Sequence, residues 1–315
     1  MVKIITDTTS CLSSEFARKY DIPVIPQVIN FGNESFLEGV DMSIADVHAN
    51  EAALQAVSAH IEAWQPDQVI VAGDLVNRGP RPLECLRFVQ AKAAAAGWLT
   101  VRGNHEEYVI EQASPDYPRQ GPVADVHRGS CWTYEQLGEE VASLEGMPFD
   151  LTLNAPDGGE VRVMHASMLG LRDGIFPWTS NEELERKIGR PPGLFLVGHT
   201  HIPLIWWLNG TLVVNADSSG LPFDGDTRPT YARCTWSHGE WQAEIVRVDY
   251  DFALAERDFY TTGFLSNAGP LAALVLRELK LAHSQLGDWV SLYQRSTLAG
   301  EITMRQAVAE FLKRM

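Results

Sequence analysis

The sequence predicts a mixed α/β sandwich with its chemistry on loops at strand ends. Two observations carry that prediction. Between residues 44 and 250, short apolar runs alternate with stretches of helical periodicity, the pattern of strands joined by helices. Polar motifs then close successive apolar runs: Asp46-Val47-His48, Gly73-Asp74-Leu75-Val76-Asn77-Arg78-Gly79, Arg102-Gly103-Asn104-His105-Glu106, His165, and Gly198-His199-Thr200-His201. Five of the nine histidines lie in these motifs. A chain that sends polar groups out of several buried strands in turn builds one site with them.

The elements follow in order. Residues 1–43 read as a strand at Val2–Thr6, a helix at Ser13–Tyr20 and a strand at Val24–Phe31, a βαβ appendage. Val40–Ala45 is the strand that would enter Asp46-Val47-His48, although Asp41 and Ser43 make it weak for a buried strand. Leu54, Val57, Ile61 and Trp64 recur at helical spacing and predict an amphipathic helix over 50–64. A strand over 68–72 leads to Asp74. Pro80 and Pro82 mark the entry to a helix ending near residue 96. Trp98–Val101 delivers Asn104, and the strands Val161–Met164 and Leu194–Val197 precede His165 and Gly198. Asn209-Gly210 between two apolar runs is a type I′ hairpin signal, and residues 230–248 form a second hairpin turning at His238-Gly239.

Residues 106–148 and 166–192 are insertions beside the motifs. The second carries Phe176, Pro177 and Trp178, a candidate substrate wall whose other reading is local packing. After Val248 the chain is mostly helical. Leu271, Leu274, Val275, Leu279 and Ala282 mark one amphipathic helix, and residues 303–314 another. These helices cover the sheet or meet a second copy of the chain, which would make a homodimer.

The residue types point to metals. Hydrolysing a phosphate ester at neutral pH needs an activated water and charge relief on the phosphoryl oxygens. Two cations about 3.5–4 Å apart supply both. Imidazole with carboxylate suits Mn, Fe, Zn or Ni, whereas Mg favours oxygen ligands. A carboxylate is the natural bridge between two cations, and Asp74, at the end of Val69–Gly73, is placed to be it. His60 fits the apolar periodicity of its helix and reads as structural. His127, His238 and His283 have no motif around them and receive no role, although His127 lies in an insertion that can approach the site.

Taken in order, the motifs D-x-H, G-D-x-x-x-R, G-N-H-E, H and G-H-x-H resemble those of the calcineurin-like metallophosphoesterases, over roughly residues 44–250. Asn215–Pro222 with Asp224-Gly225 is similar to a bacterial branch of that family. The resemblance implies a four-layer α/β/β/α sandwich with mixed sheets. It implies one metal on Asp46, His48, Asp74 and His201, and another on Asp74, Asn104, His165 and His199. The two ions would be divalent or trivalent transition metals, Mn first and Fe, Zn or Ni as alternatives. Arg78, with Asn104 and His105 beside it, would bind substrate phosphate. His105 would protonate the leaving group or steady the phosphoryl oxygens. A hydroxide bridging the metals would attack a phosphate mono- or diester in line. Monoesters, cyclic nucleotides, dinucleoside polyphosphates and phosphoproteins all suit such a centre.

The Gly73–Gly79 and Arg102–Glu106 segments are also similar to the protein Ser/Thr phosphatases, which carry Asp where this chain has Asn77. An amide supplies no charge, so His105 is expected to be a poorer general acid than its counterpart there. The opening segments Ile4–Ser10, Tyr20–Pro26 and Phe31–Ser43 resemble the start of the DegV family of fatty-acid-binding proteins. That likeness implies a competing function, lipid binding; a catalytically silent, metal-bound scaffold is a third. The expected domains are a DegV-like fragment over 1–43, the phosphoesterase over 44–250 and a helical extension over 251–315.

Composition bounds the partners. The 315 residues carry a net charge of −16. An acidic surface disfavours nucleic acid and anionic membranes, whose phosphates need cationic partners. It does not disfavour a small phosphorylated substrate, because bound metals set the local field. Cys11, Cys85, Cys131 and Cys234 are widely spaced and form neither a CxxC pair nor a disulfide framework. Residues 1–16 lack an apolar leader core, and no stretch reaches the ~18 apolar residues of a membrane span. A reducing cytoplasm is the expected location.

Overall fold

The computed structural model describes residues 41–314, with side chains from Asp46 onward, and four short strands nearer the N terminus. Of these, β1 (Thr6–Asp7) pairs in parallel with β2 (Val24–Ile25), and β3 (Val28–Phe31) pairs antiparallel with β4 (Glu34–Leu37). The single strand expected over Val24–Phe31 is therefore two, each with its own partner. The helix expected at Ser13–Tyr20, most of the strand expected at Val2–Thr6, and Cys11 lie outside the described residues.

The strands from residue 41 onward form two five-stranded mixed sheets among the described residues. The first takes β5 (Asp41–Ala45), β6 (Gln68–Val71), β7 (Leu99–Thr100), β13 (Thr230–Ser237) and β14 (Glu240–Arg247) in the order β14-β13-β5-β6-β7. The second takes β8 (Asp150–Asn154), β9 (Glu160–Met164), β10 (Leu194–Val197), β11 (Leu204–Leu208) and β12 (Thr211–Asn215) in the order β11-β12-β10-β9-β8. Strand β5, weak by side-chain pattern, sits inside the first sheet. It pairs in parallel with β6 and antiparallel with β13. Each sheet keeps its parallel strands together: β5, β6 and β7 in one, and β9, β10 and β12 in the other.

Side-chain alternation divides the interior into layers. Along β10, Leu194 and Leu196 join Ile70, Val161, Val163, Val214 and Cys234 between the sheets. Phe195 and Val197 point the other way, onto Leu184 and Ile188 of the helix Asn181–Ile188. Along β6, Val69 and Val71 face outward onto Leu54, Val57 and Ile61 of the helix Glu51–Trp64 and onto Leu86 and Val89 of the helix Pro82–Ala96. The result is the four-layer α/β/β/α sandwich. Burying these faces is the main favourable term, about 25 cal/mol per Å² of apolar surface.

The C-terminal helices, including Phe252–Thr261, Ala272–Leu281 and Met304–Lys313, build a further apolar core of their own. Phe259, Leu274, Trp289 and Phe311 pack there with Trp132 of the first insertion and Ala52 and Leu221 of the sandwich. His60 is exposed and does not share the apolar face its periodicity suggested; it shares a hydrogen bond with the Tyr231 hydroxyl (2.9 Å). Cys85, Cys131 and Cys234 are free thiols. Among the described residues, no helix is long and apolar enough to cross a membrane.

Candidate metal centre

Every motif leaves the carboxyl end of a parallel strand: Asp46 and His48 after β5, Asp74 after β6, Asn104 after β7, His165 after β9, and His199 and His201 after β10. That end is where open α/β sheets gather ligands. The turns that follow are tight. His48, Asp74, Asn77, Arg78, His199 and His201 all have left-handed backbone, with φ of 50°, 49°, 69°, 58°, 68° and 56°. Each such residue costs about 1–2 kcal/mol, and backbone strain of this kind clusters at functional sites.

The geometry brings the candidates into two adjoining groups. Asp46, His48 and His201 offer ligand atoms within 4.8 Å of one another, and so do Asp74, His165 and His199. His48 Nε2 lies 2.8 Å from His201 Nε2 and 3.6 Å from Asp74 Oδ2, so Asp74 touches both groups. His165 Nε2 lies 3.2 Å from Asp74 Oδ2, 3.0 Å from Asn104 Oδ1 and 3.1 Å from His199 Nδ1. His48, Asp74 and His105 form a third, overlapping triad, which places His105 at the junction.

The donor set fits cations. His165 Nδ1 donates to the Ala72 carbonyl (2.7 Å) and His201 Nδ1 to the Leu221 carbonyl (2.6 Å). In the neutral rings those bonds leave lone pairs on Nε2, aimed inward. His165 Nε2 meets Asp74 Oδ2 and Asn104 Oδ1, which can only accept, so this point takes either a proton on the ring or a cation. Asp46 Oδ1 and His48 Nδ1 are buried without any hydrogen-bond partner. Acceptors that converge without a proton between them need positive charge.

The electrostatics agree. Burial pushes His48 and His201 well below the usual histidine range, His199 down to about 4 and His105 down to about 3, so all four are neutral at pH 7. Burial opposes the charge on His165 as well, but the adjacent Asp74 carboxylate outweighs it and raises that group to about 10. The same pairing holds Asp74 well below its usual value against its own desolvation. A proton on His165 stands where a cation would, and metal binding at such a site releases it.

Glu106 is a functional residue that carries no role in the motif reading. It is fully buried. Its Oε2 accepts from the backbone N–H of Asp74 (2.8 Å) and Gly103 (2.7 Å), and its Oε1 from Val76 (3.1 Å). It therefore clamps the Asp74 loop to the Asn104 loop. Burial, with the Asp74 carboxylate next in effect, pushes its pKa up to about 7. Gly103-x-x-Glu106 at a strand-to-helix junction has half of a capping box, which is the signal in the sequence. The glycines before Asn104 and His199 serve close approach. A Cβ on Gly103 would lie 2.1 Å from Asp74 Oδ1, and one on Gly198 would lie 2.4 Å from Asp46 Oδ1. From the other side, the Asn215–Pro222 segment holds Asp46 in place: the N–H groups of Ser219 (2.7 Å) and Gly220 (3.2 Å) donate to the Asp46 carbonyl.

Asn77 fixes His105. Its Nδ2 lies 3.0 Å from His105 Nδ1 and 3.0 Å from Ser130 Oγ. The backbone N–H of Arg78, which can only donate, faces the other side of the amide at 3.0 Å and marks that atom as oxygen. The amide therefore donates to His105 Nδ1, and neutral His105 carries its proton on Nε2.

The centre opens into a cleft of about 690 Å³ bordered by Asp74, Arg78, Asn104, His105, Phe176 and Trp178. His283, which has no motif around it and received no role from the sequence, also lines it. His127 packs between Tyr108 and Tyr117 (ring centroids 5.8 and 6.1 Å) and borders a smaller cavity beside His105. His238 lies in the β13–β14 turn.

A model of the calcineurin-like phosphoesterase family matches residues 42–213, over half the chain. The chain belongs to this family. As a calcineurin-like phosphoesterase it is a metal-dependent phosphoric ester hydrolase. It is 28% identical over 231 residues to an uncharacterised protein of Methanocaldococcus jannaschii, an alignment spanning 67% of this chain and 88% of that one. It is 48% identical over 50 residues to a symmetrical bis(5'-nucleosyl)-tetraphosphatase of Nitrosococcus oceani, a match to 16% of this chain and 17% of the relative. The crystal structure of a metallophosphoesterase from Sphaerobacter thermophilus superposes with a TM-score of 0.62 at 26% identity, covering 78% of this chain and all of that one. Residues 1–69 of this phosphoesterase also match the model of an uncharacterised DegV protein family.

Proposed function

We propose that this phosphoesterase hydrolyses a phosphate mono- or diester at a pair of transition-metal cations. Asp46, His48, Asp74 and His201 would hold one, and Asp74, Asn104, His165 and His199 the other. The observation that carries the reading is the convergence of buried His165 Nε2 on Asp74 Oδ2 (3.2 Å) and Asn104 Oδ1 (3.0 Å), a cluster that calls for positive charge, met by a proton on His165 or by a cation. The mixed imidazole and carboxylate set suits Mn, Fe, Zn or Ni over Mg, and the likeness to the family puts Mn first. When bound, such cations relieve charge on the phosphoryl oxygens and acidify water.

The chain's own groups complete the site. Arg78, half-buried at the cleft wall, offers a fixed positive fork to the substrate phosphate. His105, held by Asn77 with its proton on Nε2, donates a hydrogen bond to a phosphoryl or departing oxygen. With its pKa down at about 3, it acts as a neutral donor and not as a reservoir of acid.

Asn77→Asp tests that role. A carboxylate against Nδ1 favours the imidazolium, so the His105 pKa rises. As a neutral donor, His105 sets no alkaline limb of the native kcat profile near neutrality, whereas the imidazolium of the variant is an acid whose loss at higher pH adds one. A native alkaline limb that simply moves upward in the variant would contradict the neutral-donor role.

The function itself is tested by Mn-dependent hydrolysis of bis(p-nitrophenyl) phosphate beside p-nitrophenyl phosphate. Turnover of either supports the reading, and the ratio separates diesterase from monoesterase. No turnover of either across Mn, Fe, Ni and Zn counts against it. Lipid binding rests on residues 1–43, and native mass spectrometry of gently purified protein tests it by looking for a retained fatty acid.

A further inference from the structure

We propose that Phe176 and Trp178 form a stacking platform that selects phosphate esters bearing a nucleobase; this rests on the phosphoesterase reading and names its substrate class. The two rings lie stacked, with centroids 4.9 Å apart and planes 17° off parallel. Trp178 is 71% exposed, so Phe176 covers one side of the indole and much of the rest faces solvent. Both rings border the cleft that holds Asp74, Asn104 and His105. A large aromatic left this open beside polar chemistry is the informative kind of exposure.

The platform is fixed in place. Phe176 N–H donates to Thr179 Oγ1 (3.0 Å) and Thr179 N–H to the Phe176 carbonyl (3.0 Å), which closes the turn. At its base, buried Lys187 donates to Asp173 Oδ1 (2.8 Å) and to the Gly174 carbonyl (2.8 Å). Gly174 lies so close to the centre that a Cβ there would be 2.9 Å from His199 Cδ2. The aromatic surface thus holds a set offset from the metal candidates, and a preorganised surface loses little freedom on binding. Arg172, stacked on Tyr108 (4.6 Å), borders the same cleft and joins Arg78 as a partner for phosphate oxygens. A flat π-system linked to phosphate through a short polar spacer is a nucleotide. Every base has a π-face, so such a platform tolerates base identity.

The test is calorimetric binding of AMP, ribose 5-phosphate and phenyl phosphate to the Mn-reconstituted full chain. AMP and ribose 5-phosphate share a phosphate and differ by the base. AMP is expected to bind roughly ten- to a hundredfold more tightly than ribose 5-phosphate. Trp178→Ala should bring that ratio near one, and Trp178→Phe should retain most of it. A ratio near one in the native protein, a ratio that survives Trp178→Ala, or phenyl phosphate binding as tightly as AMP would overturn the proposal. Turnover of bis(p-nitrophenyl) phosphate on the same preparation separates the two readings. Turnover with a flat ratio removes the platform alone, whereas a base-dependent ratio without turnover removes the hydrolase reading and leaves a nucleotide-binding cleft.

Discussion

Asp74→Ala is expected to lower kcat/KM for bis(p-nitrophenyl) phosphate by at least about a thousandfold, the scale of removing a principal electrostatic group from a hydrolytic centre. The Asp74 carboxylate is placed against both candidate groups. Its Oδ2 lies 3.2 Å from His165 Nε2 and 3.6 Å from His48 Nε2, while Oδ1 accepts from the His105 backbone N–H at 2.9 Å. Alanine removes the anion that would offset the two proposed cations and frees the start of the helix Asn104–Ile110. Circular dichroism should show an intact fold, because the apolar cores lie on either side of this residue and do not include it. Turnover within tenfold of native would refute Asp74 as the bridge.

Glu106→Ala is expected to have the largest effect on stability. The substitution leaves the N–H groups of Asp74, Val76 and Gly103 without their acceptor in a buried position. At about 1–3 kcal/mol for each of the three unsatisfied groups, the loss is about 3–9 kcal/mol, a drop in Tm of order 10 °C or more for a domain of this size. Because this side chain, with the His105 N–H bond to Asp74 Oδ1, joins the two loops that carry Asp74 and Asn104, activity should fall with it. Glu106→Gln should be intermediate, since its oxygen can still accept but its amide turns a donor toward other donors. Thermal unfolding measures the first effect and kcat/KM the second. A Tm unchanged in Glu106→Ala would show that water replaces the carboxylate without cost, and the clamp would have to be abandoned.

Much of this was legible in the sequence for a physical reason. A motif that must place a ligand at a strand end needs an apolar strand before it and a tight turn after it, and both leave marks. Val69–Gly73 before Asp74 and Leu194–Val197 before Gly198 are such marks, and the structure brings the motif residues Asp46, His48, Asp74, Asn104, His105, His165, His199 and His201 into contact. The hairpins at Asn209-Gly210 and His238-Gly239 were equally plain, because a two-residue turn constrains composition.

What stayed hidden depends on through-space contact. Strand β5 looks weak by side-chain pattern, yet backbone pairing to β6 and β13 on either side places it inside its sheet. Strand β8 is an edge strand whose residues alternate between exposed and half-buried, so it has no apolar run to announce it. The Glu106 clamp joins residues 30 and 32 positions apart, and no local spacing encodes that. The same holds for the arrival of His283 at the cleft from the helical tail.

The central claim is that these residues hold two cations, and metal stoichiometry tests it most directly. Protein stripped with chelator, reconstituted with Mn and freed of excess metal should carry two ions per chain by elemental analysis, and Asp74→Ala at most one. A native chain that retains one ion or none under every transition metal offered, or an Asp74→Ala chain that still holds two, would contradict it.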